Sequence, residues 1–317
     1  MARRVVVIGA GAVGSTYAYA LLQSGVSEEI VLVDQNRELA LGQAMDLAHG
    51  LAFVPAARVR AGEMADLADA DLVVVTAGAK QKPGQTRLDL LRTNEAVMDS
   101  IADALLKHCP GPVPVIVVTN PVDIMTYVLL ERTGWPRNLV FGSGTVLDSA
   151  RFRYLLSSHC GINPQNVHAY VLGEHGDSEV LAWSLTHVAG IPIEQYCPQC
   201  FRCPEGWEGM RERLSEAVRN SAYHIIDYKG ATWFAVSLAL VRITQSVLRN
   251  ERSVLTVSVR LEGEYGLREV ALSVPCVVSA RGAEEIIQVK LSPEEERALH
   301  NSAAILQAGL RELGLLA

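Results

Sequence analysis

The stretch Gly173-Glu174-His175-Gly176-Asp177 carries a histidine in a glycine-flanked loop. A run with strand character, residues 167–172, leads into this loop. Because an imidazole titrates near neutral pH, such a histidine can donate a proton to a substrate and take it back. The simpler alternative is a histidine that only holds the loop together by hydrogen bonds. The pattern predicts that His175 is a general acid and base.

A carboxylate and a guanidinium precede the loop, in Asp148-Ser149-Ala150-Arg151. Residues three apart lie on one face if this segment is helical. Asp148 would orient the imidazole and favour its charged form, which raises the histidine pKa. Arg151 would bind a substrate carboxylate through two parallel hydrogen bonds, although a surface ion pair is the simpler alternative. With His175, these groups make an acid–base site for a small organic acid.

The composition limits the class of protein. The 317 residues suffice for one large or two medium domains, and 28 Lys and Arg against 35 Asp and Glu give a net charge of −7. This balance disfavours a nucleic-acid partner or an anionic membrane surface. Six cysteines are too few for a disulfide scaffold. No apolar stretch approaches the roughly 20 residues that span a bilayer. We therefore expect a reduced, cytoplasmic protein.

Short β-branched runs alternate with helical segments through the first half of the chain. Near-continuous Val and Ile runs predict strands buried on both faces, and their alternation with helices predicts a parallel, doubly wound sheet. The predicted strands are 4–8, 30–33, 58–60, 72–76, 115–119 and 139–141, and the predicted helices are 12–24, 37–48 and 94–108.

The second half mixes helices and strands, which predicts an α+β layer set docked on the first domain. Predicted helices cover 148–158, 209–230 and 232–248, and predicted strands cover 254–259 and 269–278. A last helix begins at Ser292-Pro293-Glu294-Glu295, where Ser292 and Glu295 can form a capping box. We expect an α/β protein with a dinucleotide-binding domain over residues 1–145 and a substrate domain over residues 146–317.

Three glycines, Gly9, Gly11 and Gly14, follow the first strand and open a helix. The first permits a tight turn, the second lets the backbone approach a pyrophosphate, and the third allows close packing of helix and strand. The phosphates would bind the free N–H groups of that helix. Asp34, 20 residues past Gly14, ends the second strand, where an acid binds a ribose hydroxyl and repels a 2′-phosphate. The pattern predicts NAD as the cofactor, against the alternative of a structural strand–turn–helix.

Several segments together carry a resemblance to a known family. They are Gly9–Gly14, Asp34, Ala79–Arg87, Thr119–Asp123, Asp148–Arg151, Gly173–Asp177 and Lys229–Thr232. In this order and spacing, from about residue 4 to the C-terminus, they resemble the bacterial L-lactate dehydrogenases of the lactate/malate dehydrogenase superfamily. The resemblance implies a Rossmann domain, NAD as cofactor and interconversion of pyruvate and L-lactate by hydride transfer.

The resemblance also assigns roles to further residues. His175 would protonate the carbonyl oxygen, and Arg87, in a loop that closes over the substrate in the family, would polarise that carbonyl. Asn120 would hydrogen-bond the substrate oxygen, and Thr232 would line the pocket. Without the resemblance, Arg87 indicates a solvated basic turn, Asn120 an Asn-Pro turn and Thr232 the start of a helix.

Substrate choice within the family depends on Gln81. The resemblance places this residue against the substrate side chain, where lactate dehydrogenases have glutamine and malate dehydrogenases have arginine. A neutral amide suits the methyl of pyruvate and leaves the second carboxylate of oxaloacetate uncompensated. We expect pyruvate as substrate. The alternatives are another 2-hydroxy-acid dehydrogenase, acting on malate or longer chains, and a noncatalytic NAD-binding protein.

Two further groups of residues have weaker signals. Arg153 and His168 match positions that bind fructose 1,6-bisphosphate at a subunit interface in allosteric bacterial relatives, and the resemblance implies a homotetramer. Cys197, Cys200 and Cys203 have the spacing of metal ligands, but no nearby histidine completes a set of four. We expect a loop with partly buried thiols and no metal, with adventitious metal or redox chemistry as the alternative.

Overall fold

Runs of Val, Ile and Leu form the central parallel strands, because such residues pack well on a pleated surface that helices cover on both sides. The structure, a computed structural model, describes residues 3–79, 86–200, 202 and 206–316, and leaves the side chains of Arg87 and Cys200 undescribed. The first-half elements are β1 (Arg4–Ile8), α1 (Ala12–Ser24), β2 (Glu29–Val33), α2 (Arg37–His49), β3 (Arg58–Ala61), β4 (Leu72–Val75), α3 (Arg87–His108), β5 (Val115–Val117), α4 (Val122–Thr133) and β6 (Val140–Gly142).

These strands lie parallel in the order β3-β2-β1-β4-β5-β6. The chain winds outward in both directions from the junction of β1 and β4. The predicted doubly wound sheet is confirmed. Its strands β1, β2, β4, β5 and β6 are almost wholly buried, whereas β3 at the edge is only half-buried.

The second half adds helices and antiparallel strands to this sheet. Its elements are α5 (Val146–Cys160), β7 (Val167–His168), β8 (Val171–Leu172), β9 (Val180–Leu181), β10 (His187–Val188), β11 (Ile191–Pro192), α6 (Ile193–Cys200), α7 (Gly206–Lys229), α8 (Phe234–Leu248), β12 (Ser253–Glu262), β13 (Arg268–Ser279), β14 (Gly282–Ile286) and α9 (Pro293–Glu312). Strand β12 lies antiparallel to β6 through the pair Ser258 and Gly142, so β12, β13 and β14 continue the first-half sheet. The two halves therefore share a sheet, where the sequence indicated only docked layers.

The predicted strand over residues 167–172 divides into two. β7 pairs with β10, and β8 pairs with β9 in another sheet. Between them the Tyr170 carbonyl accepts a hydrogen bond from the N–H of Ala182. The chain changes sheets here and turns towards the histidine loop.

Two apolar cores hold these layers. The larger covers both faces of the long sheet, and the smaller lies in the second half around Phe152 and Trp183, whose rings are 4.6 Å apart. Helix α9 begins with the predicted capping box, because the Ser292 hydroxyl accepts from the Glu295 N–H at 3.2 Å and the Glu295 carboxylate accepts from the Ser292 N–H at 2.9 Å. A membrane-crossing helix, long and apolar over its whole length, is not found among the described residues.

Candidate active site

The glycine loop after β1 meets the loop after β4 at the carboxyl edge of the sheet, where ligands of doubly wound folds bind. Gly9 has a φ of +108°, and a Cβ there would lie 2.5 Å from the Ala77 nitrogen. A Cβ on Gly14 would overlap the Gly9 carbonyl oxygen. A Cβ on Gly11, at the start of α1, would meet no described atom within 4 Å. Two glycines thus allow close backbone packing, and Gly11 leaves room at the helix terminus.

Asp34 lies at the end of β2 and is tied to this loop. One carboxylate oxygen accepts from the Ala10 N–H at 2.7 Å, and the other accepts from the Asn36 N–H at 2.8 Å. A cavity of about 600 Å³ adjoins it and is lined in part by Gly9, Gly11 and Asp34. An open helix N-terminus beside an acid at the end of β2 fits the phosphates and ribose of a dinucleotide.

The histidine loop is fixed by β13 and α9. The Gly173 N–H donates to the Ser273 carbonyl at 2.8 Å, and the Glu174 N–H donates to the Ser302 hydroxyl at 2.7 Å. Gly173 has a φ of +84°, and a Cβ there would lie 2.7 Å from the Ser302 oxygen. The loop therefore enters the site in one defined conformation.

Asp148 connects the histidine with the arginine. Its Oδ2 lies 2.6 Å from Nδ1 of His175, and its Oδ1 accepts from Nη1 of Arg151 at 2.6 Å. The Asp148 side chain is 3% exposed, against 25% for His175 and 14% for Arg151. The structure thus brings the three predicted residues together with the acid at the back and the two cationic groups nearer to solvent.

Helix α5 carries Asp148 and Arg151 and is anchored by Ser149, the residue directly after the acid. The Ser149 hydroxyl accepts from the Val171 N–H at 2.9 Å and lies 3.0 Å from the Thr256 hydroxyl. These contacts fasten α5 to β8 and β12. The turn of α5 that carries the acid is therefore held to both sheets.

Burial and charge act in opposite directions on the histidine. Burial disfavours the imidazolium, but the charge and hydrogen bond of Asp148, with a further contribution from Asp123, outweigh it and raise the pKa of His175 to about 9. For Asp148, burial is likewise outweighed, here by His175 and Arg151, so its pKa is lowered. The pair is an ionised carboxylate beside an imidazolium at neutral pH.

Asp123 is a site residue that sequence reasoning did not assign a role. It lies in the first turn of α4, is 2% exposed, and accepts the His175 backbone N–H at 2.8 Å through Oδ2. Burial, opposed by hydrogen bonds and by the charge of His175, raises its pKa to about 6. Its Oδ1 is buried without a hydrogen-bond partner in the described part of the chain. The one available signal was an acid within the otherwise apolar start of a helix.

The other predicted substrate residues lie in less defined surroundings. Asn120 is exposed directly beyond β5, and its carbonyl accepts from the Asn94 side chain at 2.8 Å. Thr232 is half-buried in the connection between α7 and α8. Gln81 lies outside the described residues, and of Arg87 only the backbone, at the start of α3, is described.

Arg153 and His168 lie on neighbouring elements, because α5 packs against β7. His168 is exposed and pairs in register with His187 of β10, while the Arg153 side chain donates to the Pro164 carbonyl at 3.5 Å.

In the cysteine segment, Cys197 is buried in α6, while the Cys200 side chain and Cys203 lie outside the described residues. Within the described residues, no group of three or more His, Cys, Asp and Glu side chains could hold a metal ion.

Comparison with known proteins gives matches over nearly the whole chain. Residues 3–142 match the family model described as lactate/malate dehydrogenase, NAD binding domain, and residues 145–313 match its alpha/beta C-terminal domain. The chain is 53% identical to an L-lactate dehydrogenase of Treponema denticola over 98% of both chains. It is 49% identical to that of Acetivibrio thermocellus, over 99% of this chain and 98% of the relative.

Solved structures show the same similarity. A lactate dehydrogenase enzyme from a Medee basin deep-sea metagenome library has a TM-score of 0.95 at 40% identity, covering 99% of this chain and 100% of the other. A minor L-lactate dehydrogenase from Enterococcus mundtii, in its ligands-bound form, has a TM-score of 0.94 at 41% identity over 98% of each chain.

Proposed function

Because this chain belongs to the lactate/malate dehydrogenase family, we propose that it is an NAD-dependent L-lactate dehydrogenase that interconverts pyruvate and L-lactate. One observation carries the proposal: a single buried carboxylate, Asp148, holds both His175 and Arg151 at 2.6 Å. A proton donor beside a carboxylate-binding group is what a small 2-keto acid requires. The relatives named L-lactate dehydrogenase support pyruvate as the substrate.

His175 acts as the acid in pyruvate reduction. Its Nδ1 is bonded to Asp148, so Nε2 is the nitrogen that faces the substrate and protonates the carbonyl oxygen. Bound NADH supplies the hydride for the carbonyl carbon. In lactate oxidation the neutral imidazole accepts the hydroxyl proton, and Asp148 stabilises the imidazolium that results.

Arg151 binds the substrate carboxylate. A guanidinium has five N–H donors, so a hydrogen bond from Nη1 to Asp148 leaves donors for a second carboxylate. Lysine could not hold both partners in one plane. The fixed position of Arg151 therefore sets the distance between the substrate carbonyl and His175.

The remaining substrate contacts rest on the sequence resemblance and on position. Asn120 hydrogen-bonds the carbonyl oxygen, which is supported by its place beyond the carboxyl end of β5, on the cofactor side of the sheet. Thr232 lines the pocket from the α7–α8 connection. Arg87 polarises the carbonyl, and Gln81 contacts the pyruvate methyl.

Steady-state NADH oxidation with pyruvate and with oxaloacetate tests this proposal. We expect strong preference for pyruvate, and we expect Gln81→Arg to move the kcat/KM ratio towards oxaloacetate by supplying a partner for the second carboxylate. Preference for oxaloacetate in the parent, or an unchanged ratio in the variant, would contradict the substrate assignment. NADH binding without turnover of any 2-keto acid would contradict enzymatic function altogether.

Arg153 and His168 bind fructose 1,6-bisphosphate in this proposal. The contact of α5 with β7, and the exposure of His168, support a basic surface there. Two copies related by symmetry would offer two such pairs to the two phosphates. The sugar phosphate is expected to lower the pyruvate concentration at half-saturation, and Arg153→Ser to abolish that change. An identical saturation curve with and without it would refute activation.

Homotetramer formation is part of the same proposal. Large apolar side chains stand exposed on helices α1, α2 and α8, among them Tyr19, Leu41, Met45 and Leu238. Such surfaces are typical of contacts between subunits.

The division into domains at residue 145 is supported by the two family models, of which the first ends at residue 142 and the second begins at residue 145. Free thiols at Cys109 and Cys276 support a reducing, cytoplasmic location.

A further inference from the structure

Glu179 is a buried acid that no step above uses. It follows the histidine loop and comes directly before β9, and only 6% of its surface is exposed. Its Oε1 is buried with no hydrogen-bond partner among the described residues. An ionised carboxylate in that position would lack the compensation that buried charges require.

The surroundings of Glu179 join the catalytic groups to an outer cleft. Its charge interacts most with that of Asp148, and next with those of His175, Arg151 and Arg219 of α7. The cleft, of about 570 Å³, lies between α7 and α9. The further charged groups that line it are Glu208, Arg211, Glu212 and Glu216 of α7 with Glu294 and Glu295 of α9.

Glu295 differs from Glu179, although both are buried in this cleft. Its carboxylate accepts hydrogen bonds from Ser184 and from the Ser292 N–H, and these outweigh burial and lower its pKa. For Glu179, the described residues provide no such set of donors, and its Oε1 is without a partner there. Burial, and next the charge of Asp148, raise its pKa to about 8 against the opposing effects of His175, Arg151 and Arg219. It is therefore protonated at neutral pH.

We propose that Glu179 is a positioning residue for pyruvate binding: as a neutral acid it leaves the positive charge of Arg151 and His175 available to the substrate carboxylate, and its ionisation weakens that binding. The inference rests on the proposed function. Ionised Glu179 would place a second negative charge near Asp148, which repels pyruvate and holds the proton on His175 more tightly. Pyruvate affinity then falls in two steps as the pH rises, first with Glu179 and then with His175.

The test is the pyruvate KM of the intact enzyme between about pH 6 and 10, at saturating NADH. In the parent, log KM should bend upward twice. Glu179→Gln, which stays neutral, should lose the first bend and show the second at a lower pH. Between the two bends of the parent, its KM should lie up to about tenfold below that of the parent, the order expected for one unit charge in a protein. Glu216→Gln, on the exposed side of the same cleft, should reproduce the parent profile.

Superimposable profiles of Glu179→Gln and the parent would overturn the proposal. If the glutamine variant does not fold, Glu179→Met is the second neutral variant, and a parent profile with a single bend would overturn the proposal without any variant.

A second readout is independent of turnover. ¹³C-labelled histidine followed by NMR in the enzyme without substrate should show a lower pKa for His175 in Glu179→Gln than in the parent, because a nearby negative charge has been removed. An unchanged His175 pKa would contradict the proposed role of Glu179, even if the enzyme reduced no 2-keto acid. Absence of turnover with a lowered pKa would refute the proposed function and leave this electrostatic link standing.

Discussion

Asp148 sets the pH range of the reaction through its contact with His175. Asp148→Asn removes the negative charge that outweighs burial, so the pKa of His175 should fall from about 9 towards its ordinary value of 6.5 or below. Because reduction requires the imidazolium, kcat/KM for pyruvate should then decline from near neutral pH, with about a tenfold loss for each further pH unit. The measurement is kcat/KM for pyruvate across the neutral and alkaline range.

A matched control for this variant is Asp66→Asn. Asp66 also pairs with an arginine, Arg60, at 2.6 Å, but lies at the edge of the sheet away from His175. Its profile should coincide with that of the parent. If Asp148→Asn lowers kcat/KM equally at all pH values, the charge of Asp148 does not govern the protonation of His175.

At the scale of single residues, the sequence predicted which residues carry the chemistry better than it predicted the surroundings of those residues. His175, Asp148 and Arg151 could be selected because their types and spacing already fit a reaction. Asp123 offered only the signal of an acid in the apolar start of a helix, and the sequence around Glu179 gave no sign that its carboxylate is buried. Their effects arise from desolvation at positions that only the folded chain defines.

At the scale of elements, two glycines of the β1–α1 turn have different roles, one in folding and one in cofactor binding. Gly11→Ala should leave the free energy of unfolding within about 0.5 kcal/mol, because its Cβ meets no described atom within 4 Å. The same methyl would obstruct the approach of a pyrophosphate, so the Kd for NADH should rise about tenfold or more. Denaturant unfolding and NADH fluorescence titration measure the two effects.

Gly14→Ala is the counterpart. Its Cβ would overlap the Gly9 carbonyl, so we expect a loss of about 1–3 kcal/mol in the free energy of unfolding. Equal loss of stability in the two variants would show that Gly11 serves folding and not cofactor binding.

Elements with a local signal were predicted well, and those defined by distant partners were not. β1 and α1 have the predicted bounds, because an apolar run and a glycine turn act within a few residues. Residues 167–172 carry the pattern of one strand, but their hydrogen-bond partners belong to β10 and β9, so two strands form. Helix α3 begins at Arg87, before the predicted 94, because Thr86 and Asp89 form a capping box.

At the scale of the whole molecule, the parallel sheet could be predicted from the sequence, but its continuation through β12, β13 and β14 could not. Alternating strands and helices favour few topologies, whereas β12 meets β6 through a pair more than a hundred residues apart in sequence, Gly142 and Ser258. This contact brings the histidine loop, held by β13, to the same edge of the sheet as the cofactor loops. The site therefore depends on the long-range pairing.

The assembly of subunits can be tested at an exposed leucine of α8. Leu238 of α8 is 65% exposed, and burying a leucine at a contact stabilises association by about 1.5–3 kcal/mol. Leu238→Lys would introduce a charge on every subunit, twice at each symmetric contact. Sedimentation should show the parent near four times the chain mass of 34.3 kDa and the variant as smaller species. Leu106→Lys, at an exposed leucine of α3, should sediment as the parent does, and a parent that sediments as a single chain would refute the tetramer.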